Sequence, residues 1–185
     1  DHAAATPLYP EVLEAMMPFL KDEYGNPSSV HSAGQRVRRA IDESRETVAR
    51  EFNCTSREVL FTSGGTESNN FLILGIARAY KEKGKHIVTT TIEHESVLRP
   101  LEYLESEGFE VTRVPVNAEG IVSAEDIGAA IREDTILVTV IYANNEIGTI
   151  QPIKEIARVI AGKCHPELGL SRRGGIEGRH LASVV

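Results

Sequence analysis

The chain has only two cysteines in 185 residues, Cys54 and Cys164. They are too few and too far apart for a disulfide framework or a Cys-x-x-Cys metal knuckle, and reduced thiols are expected. Basic charge is scarce as well. A net charge of -7 and a pI near 5.4 argue against nucleic-acid binding by bulk electrostatics. No apolar run approaches the roughly 20 residues that cross a bilayer, and no charged-then-apolar leader opens the sequence. A soluble, cytoplasmic protein with no membrane partner is the expectation. The histidines, His2, His31, His86, His94, His165 and His180, form no His-x-x-x-His or His/Cys cluster, so no metal site is expected. Neither a Walker loop nor the Gly-x-Gly-x-x-Gly of a dinucleotide fold occurs.

What is present alternates. Helical periodicity runs through Val12, Met16, Met17 and Leu20, and again from Ala33 through Phe52. Short β-rich segments follow at Val59–Phe61, Ile87–Thr91, Val111–Val114 and Ile136–Ile141, separated by helical patterns over Ser68–Lys81, Val97–Glu107, Ser123–Ile131 and Ile153–Ile160. Pro152 is well placed to open the last of these helices. The order predicts an α/β fold, an open and mostly parallel sheet covered by helices on both faces. In such sheets ligands sit beyond the carboxyl ends of the strands.

Three segments fall at that rim. Phe61-Thr62-Ser63-Gly64-Gly65-Thr66-Glu67-Ser68-Asn69-Asn70 leads from a predicted strand into a helix through small, donor-rich residues. Free N–H groups and the dipole at a helix start favour phosphate, and Thr66 and Ser68 add hydroxyls. A Gly-Gly turn that only caps a helix would account for Gly64 and Gly65 alone. His94, between Glu93 and Glu95, offers a flat ring that can stack on a pyridine and move a proton near neutral pH, or it can be a capping residue. Asn144-Asn145-Glu146 offers a side-chain amide, or a turn in which Gly148 supplies a positive φ. Asn26-Pro27-Ser28-Ser29 with Gly34 reads as a loop capping the helix that starts near Ala33. Glu67 and Glu146 belong to these motifs and do not make a separate carboxylate pair.

These runs, together with Asp1-His2-Ala3-Ala4-Ala5-Thr6-Pro7, Tyr24–Gly34, Thr91–Val97 and Ala143–Thr149, resemble in order the N-terminal half of the cysteine desulfurases. Those are pyridoxal-phosphate enzymes of the class V aminotransferase group. One departure is Ala5, where the family usually has Thr. The resemblance implies the three-layer large domain of a fold-type I pyridoxal-phosphate transferase, truncated. Residues 1–161 form its N-terminal part, and the segment up to about Ala15 is expected to pack with the small domain. It also implies pyridoxal 5'-phosphate bound by Gly65, Thr66, His94 and Asn145, with His94 stacking on the ring and in a position to transfer protons. The implied reaction converts L-cysteine to alanine and leaves an enzyme persulfide. The implied partners are a second copy of the subunit and sulfur-acceptor or scaffold proteins for iron-sulfur cluster or thiocofactor assembly. Selenocysteine lyases and other class V enzymes share parts of these motifs, and a non-catalytic fragment or subunit-pairing module is the alternative from another class.

The resemblance also shows what this sequence does not contain. The family's Schiff-base lysine follows a histidine, and no His-Lys pair occurs here; Lys21, Lys81, Lys83, Lys85, Lys154 and Lys163 match no such motif. The family's aspartate for the pyridine nitrogen, its ring-contacting glutamine, its nucleophilic cysteine loop and its carboxylate-binding arginine have no counterparts either. The 185 residues alone are therefore expected to be inactive. After Ala161 the likeness stops. Residues 162–185 are expected to be a divergent, disordered tail that supplies no strand, the product of a frameshift or, as the rival reading, a partner-binding segment.

Overall fold

The computed structural model describes residues 2, 5–163 and 180–184. They pack as two compact units divided between Phe61 and Thr62, where the sequence predicts one body through residue 161.

In the first unit, helix α1 spans Pro10–Lys21, and the fixed φ of Pro10 suits a first helical position. None of its residues is buried. Val12, Met16, Phe19 and Leu20 stay exposed and line an apolar groove that also includes Ala15 and Ser44. Helix α2 spans Ser32–Glu51. Its N-terminal cap is His31, whose Nδ1 accepts from the Gly34 N–H at 3.4 Å, so the Asn26–Ser29 loop is not the cap itself. The loop instead packs onto the helix start: a Cβ on Gly34 would lie 2.4 Å from the Asn26 carbonyl oxygen. Asn53, at a left-handed φ of 52°, ends the helix, and the chain enters a 3-10 turn at Ser56–Glu58. The strand expected at Val59–Phe61 does not form. Val59 is extended, but a strand exists only by pairing, and the segment has no ladder partner among the described residues.

The second unit holds helix α3 (Gly65–Tyr80), strand β1 (His86–Thr90), α4 (Glu95–Ser106), β2 (Glu110–Val114), α5 (Ala124–Ala130), β3 (Thr135–Ile141), α6 (Ile153–Lys163) and β4 (His180–Val184). The sheet order is β2-β1-β3-β4, with every pairing parallel. β1 and β3 are buried along their whole lengths, which suits the largely apolar run of β3 and the β-branched Ile87, Val88, Thr89 and Thr90 of β1. On one face Ile87 and Leu137 pack with Ile73, Ala77, Val97, Leu101 and Leu104 of α3 and α4. On the other, Val88, Val138 and Val140 pack with Ile127 of α5 and Ile156 of α6. Each face buries several aliphatic side chains, at about 1.5–3 kcal/mol apiece.

The tail differs from its expectation. Its residues 180–184 form β4 and pair with β3 from Leu137↔His180 to Ile141↔Val184. α6 runs on to Lys163, two residues past the end of the resemblance. The expected disorder of 164–179 and the environment of Cys164 lie outside the described residues. Among the described residues no helix is long and apolar enough to cross a membrane, and no group of His, Cys, Asp and Glu is placed to hold a metal ion.

Candidate cofactor site at the carboxyl end of the sheet

Because the strands are parallel, the loops after β1 and β3 leave the sheet on one side, next to each other. The loop after β1 carries His94 and the loop after β3 carries Asn145. Hydrogen bonds join these loops to each other and to the start of α3. The amide of Asn144 donates to the Ile92 carbonyl at 2.9 Å, and the Ile141 N–H donates to Glu93 Oε1 at 2.9 Å. The buried Asn69 of α3 donates to Ser96 Oγ at 2.8 Å, and that hydroxyl lies 2.8 Å from His94 Nδ1. The three segments singled out in the sequence are therefore one bonded network.

At the start of α3 no side chain caps the helix. Its first N–H groups, which have no intrahelical acceptor, are left for solvent or an anion. Cβ atoms built on Gly64 and Gly65 would meet nothing within 4 Å. Packing inside the chain thus places no demand for glycine there, and the surface in front of the helix start is bare. Thr62 Oγ1 donates to the Gly64 carbonyl at 3.1 Å, so in its 2.7 Å contact with Ser68 the serine is the donor. Ser68 is thereby engaged, unlike the free donor expected from sequence, while Thr66 keeps its hydroxyl unpaired and exposed. Glu67 turns backward: its Oε2 accepts from the Ser63 hydroxyl and N–H, both at 2.6 Å, and these bonds hold its carboxyl below the usual range.

His94 does cap α4, and its ring is exposed as well. Its Nδ1 accepts from the Ser96 N–H at 3.0 Å. A backbone N–H can only donate, so Nδ1 is unprotonated and the neutral ring carries its proton on the outward, unpartnered Nε2. The two adjacent asparagines divide their work. Asn144 is fully used, its Oδ1 accepting from the Glu146 and Ile147 N–H groups at 2.9 and 3.0 Å, inside a turn closed by Gly148 at φ 73°. Asn145 is exposed, and its amide has no partner.

The residues that sequence reading missed are the ones beneath. Glu93 is 6% exposed; Oε1 accepts from Thr90 Oγ1 at 2.7 Å and from Ile141, while Oε2 has no partner. Burial pushes its carboxyl above the ordinary range. Asn69 carried a usable signal, a polar residue on the apolar stripe of α3. Ser96 carried another, two residues beyond a candidate cap.

An all-parallel sheet sandwiched by helices, with free donors gathered beyond adjacent strand ends, is the architecture of the large domain of the pyridoxal-phosphate transferases, present here in part. Residues 1–164 match the family "Aminotransferase class-V", and the chain belongs to that family. It is 54% identical over 159 residues to "Cysteine desulfurase IscS" of Dictyoglomus turgidum, a match covering 86% of this chain and 40% of that protein. Among solved structures it is similar to a NifS-like protein, with 38% identity, TM-score 0.85, and 89% of this chain and 45% of that one covered. It is also similar to SspA in complex with cysteine, with 40% identity, TM-score 0.83, and 88% and 47% covered. The chain thus spans about two fifths to one half the length of these relatives.

Proposed function

We propose that this chain is the cofactor-gripping part of a cysteine desulfurase and that it holds pyridoxal 5'-phosphate at the rim just described. The observation carrying this reading is the set of unpaired, exposed donors grouped at one edge of the sheet: the uncapped start of α3, Thr66, His94 Nε2 and the Asn145 amide. They fit the cofactor's chemistry, an anion for the helix start, a flat ring for the imidazole and a ring oxygen for the amide.

When bound, pyridoxal phosphate supplies an electron sink for charge that develops at the α-carbon of an amino acid. The work of the chain is positional. Gly65 and Thr66 grip the phosphate through N–H and hydroxyl, with the α3 dipole aligned to it. His94 lies against the ring, its tautomer fixed by Ser96, and its Nε2 is the atom that can hold or pass a proton. Asn145 fixes the ring's rotation by donating to its oxygen.

The reaction in view is the conversion of L-cysteine to alanine with transfer of sulfur to an enzyme thiolate as a persulfide. The enzyme acts as a cytoplasmic homodimer that passes sulfur to scaffold or thiolation proteins for iron-sulfur cluster assembly. Cys54 lies in the turn after α2 and takes no part. Because the sequence carries no lysine in the Schiff-base motif, these residues bind the cofactor without a covalent link and do not turn over alone. Equilibrium dialysis of the full 185-residue chain against pyridoxal phosphate tests the reading. Saturable uptake that weakens in Thr66→Val is expected, with no sustained sulfide release from cysteine. Absence of uptake would reject the site, and sustained release would reject inactivity.

A further inference from the structure

Glu93 is the one buried acid among the described residues of the second unit, and nothing in the proposed chemistry uses it. Its Oε1 receives two donors from different strands, the Thr90 hydroxyl at the end of β1 and the Ile141 N–H at the end of β3, at 2.7 and 2.9 Å. One residue further along the first loop is His94. In the second loop, Asn144 crosses back to the Ile92 carbonyl, and one residue further along is Asn145. His94 and Asn145, both exposed, therefore each directly follow a residue that is tied to the neighbouring strand end or loop.

We propose that Glu93 is a positioning residue: it clamps the loop after β1 to the end of β3 and so sets the separation between the His94 ring and the Asn145 amide. The identity of the ligand in that gap rests on the reading above; the clamp itself does not.

Burial pushes the carboxyl above the ordinary range, and the Ile141 and Thr90 bonds pull it back in part. Among the described residues no cation faces it, two neutral donors meet one oxygen, and the other oxygen is buried without a partner. A charge there is desolvated and offset only in part by the Thr90 and Ile141 bonds, whereas a protonated acid leaves an O–H buried without an acceptor. A glutamine keeps the accepting Oε1 and the shape, and so should still hold the two segments together, at the cost of an amide NH2 buried without an acceptor. A leucine removes the acceptor and leaves the Ile141 N–H buried without a partner.

The test is amide and side-chain NMR on the full chain with Glu93→Gln and Glu93→Leu, alongside dialysis against pyridoxal phosphate. In Glu93→Gln the His94 and Asn145 resonances should stay in place and the Ile141 amide should keep its protection from exchange. In Glu93→Leu both resonances should move together, Ile141 exchange should rise about tenfold or more, and cofactor affinity should fall about tenfold, as expected for one lost buried hydrogen bond. If Glu93→Leu does not fold, Thr90→Val, which removes one donor and keeps the volume, should move the same resonances less far. Glutamine displacing the peaks as far as leucine, or leucine leaving them unmoved, would overturn the clamp. If the peaks behave as expected but the wild-type chain takes up no pyridoxal phosphate, the cofactor reading fails and the clamp stands. If leucine changes nothing while the wild type binds, the clamp fails and the cofactor reading stands.

Discussion

The two ends of the central strands treat hydrogen bonding in opposite ways. At the amino end His86 is fully buried and both ring nitrogens are used, Nδ1 with Thr135 Oγ1 at 2.7 Å and Nε2 with Thr112 Oγ1 at 2.8 Å. Beside it Arg132 binds Asp134 and Glu110 at 2.8 and 2.6 Å. At the carboxyl end, donors are left over: the start of α3, Thr66, His94 Nε2 and the Asn145 amide. Spare hydrogen-bonding capacity separates an end that secures the fold from an end that can receive a ligand.

If this contrast is right, substitutions at the two ends should move different observables. His86→Ala should have the largest effect. It opens a cavity, takes the His86 bond from Thr112 and from Thr135, which keeps only the Arg132 N–H, and should cost about 3 kcal/mol in urea unfolding, with cofactor affinity of the folded fraction unchanged. Reduced affinity in that variant would break the comparison. His94→Asn should do the reverse. Asparagine is a strong helix cap, so unfolding should stay within about 0.5 kcal/mol, while loss of the ring should weaken pyridoxal phosphate binding about tenfold. Thr66→Val and Asn145→Ala each remove one exposed donor and should lower affinity by a factor of about three to ten by dialysis, with the unfolding midpoint unmoved.

The smallest effect is in pH. Burial first, then the Arg132 charge, lower the His86 pKa against the opposing pull of Asp134 and Glu110. The unfolded chain then binds the proton more readily than the folded one. The contribution of His86 is complete above its unfolded pKa, about 6.5, and is lost as pH falls through the lower folded value. Urea unfolding at pH 7.5 and 5.5 should show that loss, and His86→Ala should flatten it. An unchanged slope in the variant would place the titrating group elsewhere.

The sequence showed the functional end better than the securing end. β3 was legible because burial on both faces makes it a largely apolar run, β1 because its residues are β-branched, and the rim residues stood in glycine- and asparagine-rich turns of recognisable type. Val59–Phe61 misled because its apolar content is that of a strand, but a ladder needs a neighbour that local composition does not reveal. The exclusion of Ser68 as a donor depended on which way the Thr62 hydroxyl turns. His86 was unreadable for another reason: its partners lie 26 and 49 residues away, so local sequence cannot show that a histidine between two threonines is a core residue.

The same separations bear on how the molecule comes into being. β1 and β2, joined through the single helix α4, can pair as soon as the chain reaches Val114, while β3 joins β1 only some two dozen residues later. Closing that longer loop is the slower step, and on the ribosome it is also the later one. The bond from Ile141 to Glu93 spans 48 residues and belongs to that step. A nascent chain halted before β3 is expected to have a paired β1 and β2 and a capped α4, yet no capacity to take up the cofactor. In synthesis, cofactor loading would therefore report the docking of β3, and the binding rim would be among the last parts of the second unit to mature.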